Sequence, residues 1–353
     1  MSFQLTEILD KAILTVKKNF SGTDKEFEEK LQSKMPNLIK LTGDSFKKGL
    51  IKYYDSKILL ELREKEQNYK DNLYNDYKKG FDSLQIFIDL NKYCGKRNLE
   101  IYEKKNDKTD SKKQMLLFRI QSRACQVATE IQTLLRYGYP DGAFARWRTI
   151  HELSVIFFVL FENKVKLSEM FMDYSVIERL KRAKDFEDQH HKINWPPLDK
   201  DNLRELSDEK TILIEKYGKE FAGNYGWTLD ILPKGKRNFR ELEKLVGLDF
   251  MRPFYSWSND NVHPGISGLI TRMGQIEKGR TSYLKMAGPS YYGLADPAQF
   301  TSSSLLLMTD KILESNWDFE SQVIYTLLEE LDKEIKDTFF DSQLDLKRQY
   351  YGK

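Results

Sequence analysis

Between Ala145 and Leu153 the chain reads ARWRTIHEL, which places two guanidinium groups, an imidazole and a carboxylate within about two helical turns. These residue types have the parts for acid–base chemistry on a phosphate. Imidazole ordinarily titrates near neutrality and can take or give a proton. A guanidinium is a permanent planar fork for oxyanions, and a carboxylate can orient either group. Arg148 and Glu152 are four residues apart and share a helical face, with His151 beside them. Arg146 precedes His151 by five residues, an offset of about 140° on a regular helix. The segment before adds Arg119, Arg123 and Glu130. Ions inside an apolar segment survive burial only when paired, and such groups often have perturbed ionisation. The same four residues also suit a well-satisfied polar patch on a buried helix.

A second polar cluster lies in YSWSNDNVHPGISG, Tyr255 to Gly268, which carries Ser256, Ser258, Asn259, Asp260, Asn261 and His263. One reading is a polar helix C-terminus stopped by Pro264 and Gly265. The other brings His263 against Arg148 and Glu152 from a separate helix, with Tyr255, Ser258, Asn259 and Arg123 binding substrate. A Ser-His-Asp hydrolase is disfavoured because the nucleophile-elbow glycines are missing. DFEDQHHKINW (Asp185 to Trp195) invites a metal, yet adjacent histidines point about 100° apart on a helix. HExxH and equivalent ligand spacings are absent, so a solvated helix end is the better account and neither metal nor cofactor is expected.

The elements that must position these groups are helical. Apolar residues recur three and four apart over 2–19, 24–41, 45–93, 112–137, 141–163, 165–192, 200–222, 238–247, 297–315 and 318–347. No βαβ alternation is present, which predicts an all-α, multi-helix bundle of antiparallel long helices with an N-terminal helical extension. RYGYPDG separates 112–137 from 141–163, with Gly138 suited to a helix C-terminal turn, Pro140 to a stop and Asp141 to an N-cap. Those two helices are expected to form an antiparallel hairpin. Lysine-rich KRNLEIYEKKNDKTDSKK (Lys96 to Lys113) reads as a solvated linker, or alternatively as a basic arm. It places a boundary between an N-terminal region, 1–110, and a main domain, 111–353. Ser282 to Phe300 reads as an irregular connection that stacks bases or packs over the core.

Composition narrows the class. Of 353 residues, 40% are hydrophobic and 13% aromatic, so the chain is folded rather than disordered. The net charge of +3, from 57 basic and 54 acidic residues, is unlike a strongly basic nucleic-acid coat. Cys94 and Cys125 stand alone without a CxxC, which points away from a disulfide framework and toward a reducing cytoplasm. The amphipathic N-terminus lacks signal-peptide features, and the apolar run LSVIFFVLF is too short to span a bilayer. No membrane association is expected.

Arg146 to His151 has the form R-x4-H within a long helix, and this resembles the motif of the HEPN superfamily, whose members are often metal-independent ribonucleases and toxins of bacterial defence systems. The resemblance implies an endoribonuclease in which Arg146 and His151 of two protomers meet in a homodimer, with RNA as substrate. Trp147 departs from the polar residue that the family often has after its arginine. LLRYGYPDGAFARWRTIHEL and FYSWSNDNVHPG together are also similar to an uncharacterised bacterial helical family with small-x-x-R-x-x-x-E followed by a Ser/aromatic helix ending in His. That likeness, over about 112–315, nominates Arg148, Glu152 and His263. Together the readings give a catalytic set of Arg146, Arg148, His151, Glu152 and His263, in which Arg146 or Arg148 is the functional arginine. They imply a cytoplasmic growth-arresting effector whose residues 1–110 regulate, dock a partner protein or extend the dimer. Two rivals remain: a non-enzymatic module that binds a nucleotide, nucleic acid or protein, and a scaffold whose Arg148–Glu152 pair fixes helix register.

Overall fold

The computed structural model describes residues 13–14, 17–18, 20–53, 58–105, 109–263, 265–266, 268 and 288–351. Among them every regular element is helical, as the periodicity predicts. The chain divides into two compact units, 1–71 and 72–353.

In the first unit, α1 (Asp24–Tyr53) opens with a capping box. Thr23 Oγ1 accepts from the Glu26 N–H at 3.4 Å, and Glu26 Oε2 accepts from the Thr23 N–H at 2.8 Å. The Phe20 and Phe27 rings meet edge to face at 5.4 Å. The expected helix over 2–19 lies outside the described residues apart from 13–14 and 17–18, which are helical. The second unit begins within α2 (Leu59–Asp76). The expected segment over 45–93 is shared by the end of α1, by α2 and by the helix that starts at Lys78, with Tyr77 between the last two at a φ of −117° and a ψ of 20°, outside the helical region. The backbone bonds continue through it, Tyr77 N–H to the Leu73 carbonyl at 3.1 Å and Phe81 N–H to the Tyr77 carbonyl at 3.0 Å, while the Tyr77 hydroxyl donates to the distant Tyr291 carbonyl at 2.7 Å.

Among the described residues the further α-helices are α3 (Lys78–Glu103), α4 (Ser111–Arg136), α5 (Pro140–Glu162), α6 (Val165–Glu187), α7 (Lys200–Tyr217), α8 (Phe239–Leu245), α9 (Arg252–Asn259), α10 (Ala295–Glu314) and α11 (Phe319–Tyr351). The expected boundary at 110 moves to 71, because α3 packs against α4, α10 and α11 and is part of the main core. Residues 96–103 of the expected linker are the end of α3, with Asn98 and Tyr102 buried.

The α4–α5 hairpin forms as predicted. Gly138 adopts a φ of 74°, and the Tyr139 N–H caps the Leu134 carbonyl at 2.8 Å. Asp141 is not the N-cap. Pro140 enters the first helical position after Tyr139, which leaves Asp141 in the first turn. α5 then runs through the interior against α4 and α10. Its Trp147 is fully buried and donates from Nε1 to the Phe300 carbonyl at 3.0 Å and Ser304 Oγ at 3.2 Å. A polar network ties α3, α4 and α10 together. Thr309 donates to Asn91 Oδ1 at 2.6 Å, Asn91 donates to the Phe87 carbonyl at 2.7 Å, and Gln121 donates to the Asn91 carbonyl at 2.8 Å. Both cysteines are free and buried, and burial pushes each thiol up to about 12. Among the described residues no helix is long and apolar enough to cross a membrane.

Candidate functional site

Two faces of α5 carry the charged residues, and they have opposite fates. Positions 147, 151, 154 and 158 form the inward row and are buried. Positions 148 and 152 open toward α9, with side chains 24% and 38% exposed. The short helix α9 is set down on this row after a 3-10 turn at Asp249–Met251, with Pro253 in its first turn.

Arg148 is the centre of the arrangement. Its Nε donates to Glu152 Oε1 at 3.0 Å and its Nη1 donates to Asn259 Oδ1 at 2.6 Å. The guanidinium lies over the Tyr255 ring, 4.6 Å from its centroid. The Tyr255 hydroxyl donates to the same Glu152 oxygen at 2.7 Å. Burial, reinforced by that bond to Glu152, holds the Tyr255 phenol well above its ordinary range, so it acts as a donor and not as a base. The guanidinium is thus fixed by carboxylate, amide and ring while its side chain remains 24% exposed. Such a group is pre-organised for an oxyanion.

His263 follows one turn after Asn259. It is exposed, and its backbone N–H bonds the Asn259 carbonyl at 2.8 Å. Ser258 is fully buried, with its hydroxyl on the Tyr255 carbonyl at 2.7 Å, so it stabilises the helix turn and does not face a substrate. Pro264 and residues 269–287, which include the first part of the expected Ser282–Phe300 connection, lie outside the described residues.

The R-x4-H pair does not come together within the chain. Arg146 faces α4, where its Nε bonds Glu130 and its Nη1 donates to Thr149 Oγ1 at 3.2 Å. Arg123 reaches the other Glu130 oxygen at 3.5 Å, so it joins Arg146 and not the Arg148 cluster. His151 points the opposite way and is 1% exposed. Its Nε2 is 2.8 Å from Glu243 Oε1, and its ring packs against Trp147, Tyr255 and Phe239 at 5.5, 5.4 and 5.9 Å. Glu243 itself has no exposed surface and takes Arg252 Nη1 on its other oxygen at 2.7 Å. The expected catalytic imidazole is therefore an interior group shared with a buried carboxylate. A helical offset near 140° makes this division natural, because two such positions cannot share one face.

Glu243 and Arg252 escaped the sequence reading. RELEKL has the look of a solvated helix, and nothing local marks its second glutamate as buried. Arg252 also stacks on Tyr255, 5.1 Å from the ring centroid. Tyr255 is thus flanked by two guanidiniums and links the interior His151–Glu243 pair to the open Arg148 row. His190 Nδ1 bonds the Trp195 carbonyl at 2.8 Å and closes a 3-10 turn, in keeping with the solvated helix end.

The comparisons bear on this region. Residues 114–280 match the model of a family of unknown function (DUF5677). The matched stretch begins in α4 and contains all of Arg148, Glu152, Tyr255, Asn259 and His263, so the cluster lies wholly within the region of similarity. No curated protein and no solved structure matches the chain.

Proposed function

We propose that the chain is a metal-independent endoribonuclease of HEPN type whose working residues are Arg148, Glu152, Tyr255, Asn259 and His263. The observation that carries this reading is the Arg148 guanidinium, held by Glu152 and by Asn259 at 2.6 Å and stacked on Tyr255, with the exposed His263 four residues after Asn259. In this scheme Arg148 binds the scissile phosphate and stabilises its developing charge. His263 takes the 2′-hydroxyl proton as that oxygen attacks phosphorus. The 5′-oxygen leaves with a proton from the second imidazole of a homodimer, His263 of the other copy, and the products carry 2′,3′-cyclic phosphate and 5′-hydroxyl ends. Glu152 and Tyr255 position Arg148. A role as growth-arresting effector in anti-phage defence follows from the HEPN resemblance alone.

A second reading is a non-enzymatic module that holds an oxyanion-bearing nucleotide or nucleic acid at Arg148. The burial of His151 favours it, since one exposed imidazole per site is left for two proton transfers. Incubating the protein with total RNA in EDTA separates the two. The nuclease reading expects cleavage with cyclic-phosphate ends, lost in Arg148→Met and in His263→Ala while both variants melt as the parent does. Binding that depends on Arg148 without any cleavage leaves the module. Absence of both removes the Arg148 site from function.

A further inference from the structure

Two helices far from Arg148 in the chain, α3 and α11, each carry a second apolar stripe where a surface helix ordinarily carries one. The inward stripe of α3 runs through Leu84, Phe87, Ile88 and Cys94, and that of α11 through Ile324, Leu328, Ile335 and Phe339, all buried in the core. The second stripe of α3 is Ile86, Leu90 and Tyr93, and that of α11 is Phe319, Val323, Leu327 and Leu331. These turn toward solvent: Ile86 is 56% exposed, Leu327 45% and Phe319 82%. Apolar groups scattered singly on a surface need no explanation, but a contiguous patch marks a place where something binds.

The two stripes meet in a groove that is held open from both ends. At one end Tyr93 donates its hydroxyl to Glu320 at 2.7 Å, and Arg97 Nε bonds the other Glu320 oxygen at 3.0 Å. At the other end Lys79 meets Glu334 at 2.8 Å. The helices therefore run antiparallel, and the groove exists before any partner arrives. It encloses about 590 Å³, and its walls are apolar side chains of both stripes with Asp89, Glu330 and Glu334. The lining thus contains three carboxylates and no cation. Lys92 and Lys79 bond Asp89 and Glu334 from outside it, and Glu330 forms no ion pair among the described residues. From Phe319 to Leu331 the α11 stripe extends about 18 Å, roughly three turns. A valley of that length between two helices fits a third helix laid along it. A second copy of the chain is a poor occupant, because a two-fold contact would set these carboxylates against their own equivalents.

We propose that the α3–α11 groove docks a partner protein through a basic amphipathic helix. Apolar side chains of that helix, spaced three and four apart, enter between Ile86 and Leu327, while lysines or arginines beside them meet Asp89, Glu330 and Glu334. The inference is independent of what the Arg148 site binds.

Titrating the full chain into two fluorescein-labelled peptides of about four helical turns tests it by anisotropy. Both peptides carry leucines spaced three and four apart, flanked by lysines in one and by glutamates in the other. In about 0.15 M salt the lysine peptide should bind at least about tenfold more tightly than the glutamate peptide. Ile86→Ser combined with Leu327→Ser leaves the charge unchanged and should weaken the lysine peptide by about tenfold or more. Its melting temperature should stay near the parent's, because both side chains are exposed. Glu330→Lys, which keeps the apolar walls, should narrow the preference between the peptides several-fold. Equal affinity for the two peptides, binding indifferent to the double substitution, or no binding of either peptide overturns the inference. Sedimentation of the chain alone supplies a further check: a dimer that the double substitution dissolves assigns the groove to a second copy and likewise overturns it.

Discussion

Replacing His151 by alanine separates an interior histidine from a catalytic one. The ring is 1% exposed and packs against Trp147, Phe239 and Tyr255, so its removal deletes a large buried group. Large-to-small changes of that kind cost about 2–5 kcal/mol. The change also strips Glu243 Oε1 of its 2.8 Å partner where the carboxylate has no exposed surface, and an unsatisfied buried acceptor costs about 1–3 kcal/mol more. Arg252, a third exposed, still serves the other oxygen at 2.7 Å and moderates the loss. These contributions overlap, and breaking a buried pair from one side typically costs about 3–5 kcal/mol, a large share of a stability of roughly 5–15 kcal/mol. For a unit of this size that corresponds to a melting temperature lower by about 6–10 °C. His151→Gln keeps an amide donor for Glu243 and should recover roughly half of that fall. Thermal and urea melts followed by circular dichroism check both variants, with RNA cleavage normalised to the folded fraction. If His151→Ala melts like the parent but has lost cleavage, the imidazole reaches substrate and the interior assignment is wrong.

Three further outcomes are expected. The Asp318 carboxylate at the start of α11 is held down to about 2, first by the Ser321 N–H and also by Arg97 of α3. Because the folded value lies below the ordinary 3.8, this cap contributes fully above about pH 4. Its contribution is lost as pH falls from there through about 2, and Asp318→Asn should flatten that part of a stability–pH curve. In the α3–α10 contact, Asn91→Leu orphans the Thr309 hydroxyl in a fully buried position and should cost about 1–3 kcal/mol by urea denaturation, whereas adding Thr309→Val should return most of it. A double variant no more stable than the single would show that the network is not what the substitution breaks. Gly226→Ala drives a methyl into the Phe221 carbonyl and should raise the protease sensitivity of the 218–228 loop. An unchanged digestion pattern would show that the loop accommodates a side chain there.

Local spacing settled a good deal of this protein. The three-and-four recurrence of apolar residues established the helical class, and Gly138 with Pro140 marked the α4–α5 turn because both act within a few residues of chain. The pairing of Arg148 with Glu152 was legible for the same reason: four residues on a helix is one face. What local spacing leaves undetermined is which face turns inward. That is decided by competition for burial among all the helices, and it sent His151 to the interior and left Arg148 at the edge. Asn259 and Tyr255 reach α5 only because α9 docks there, 111 and 103 residues along the chain from the partners they bond. Glu243, on a short helix with solvated-looking neighbours, becomes a buried carboxylate because His151 and Arg252 converge on it. Helical periodicity is set by backbone geometry within one turn, whereas the identity of the site depends on contacts that exist only once distant elements have packed.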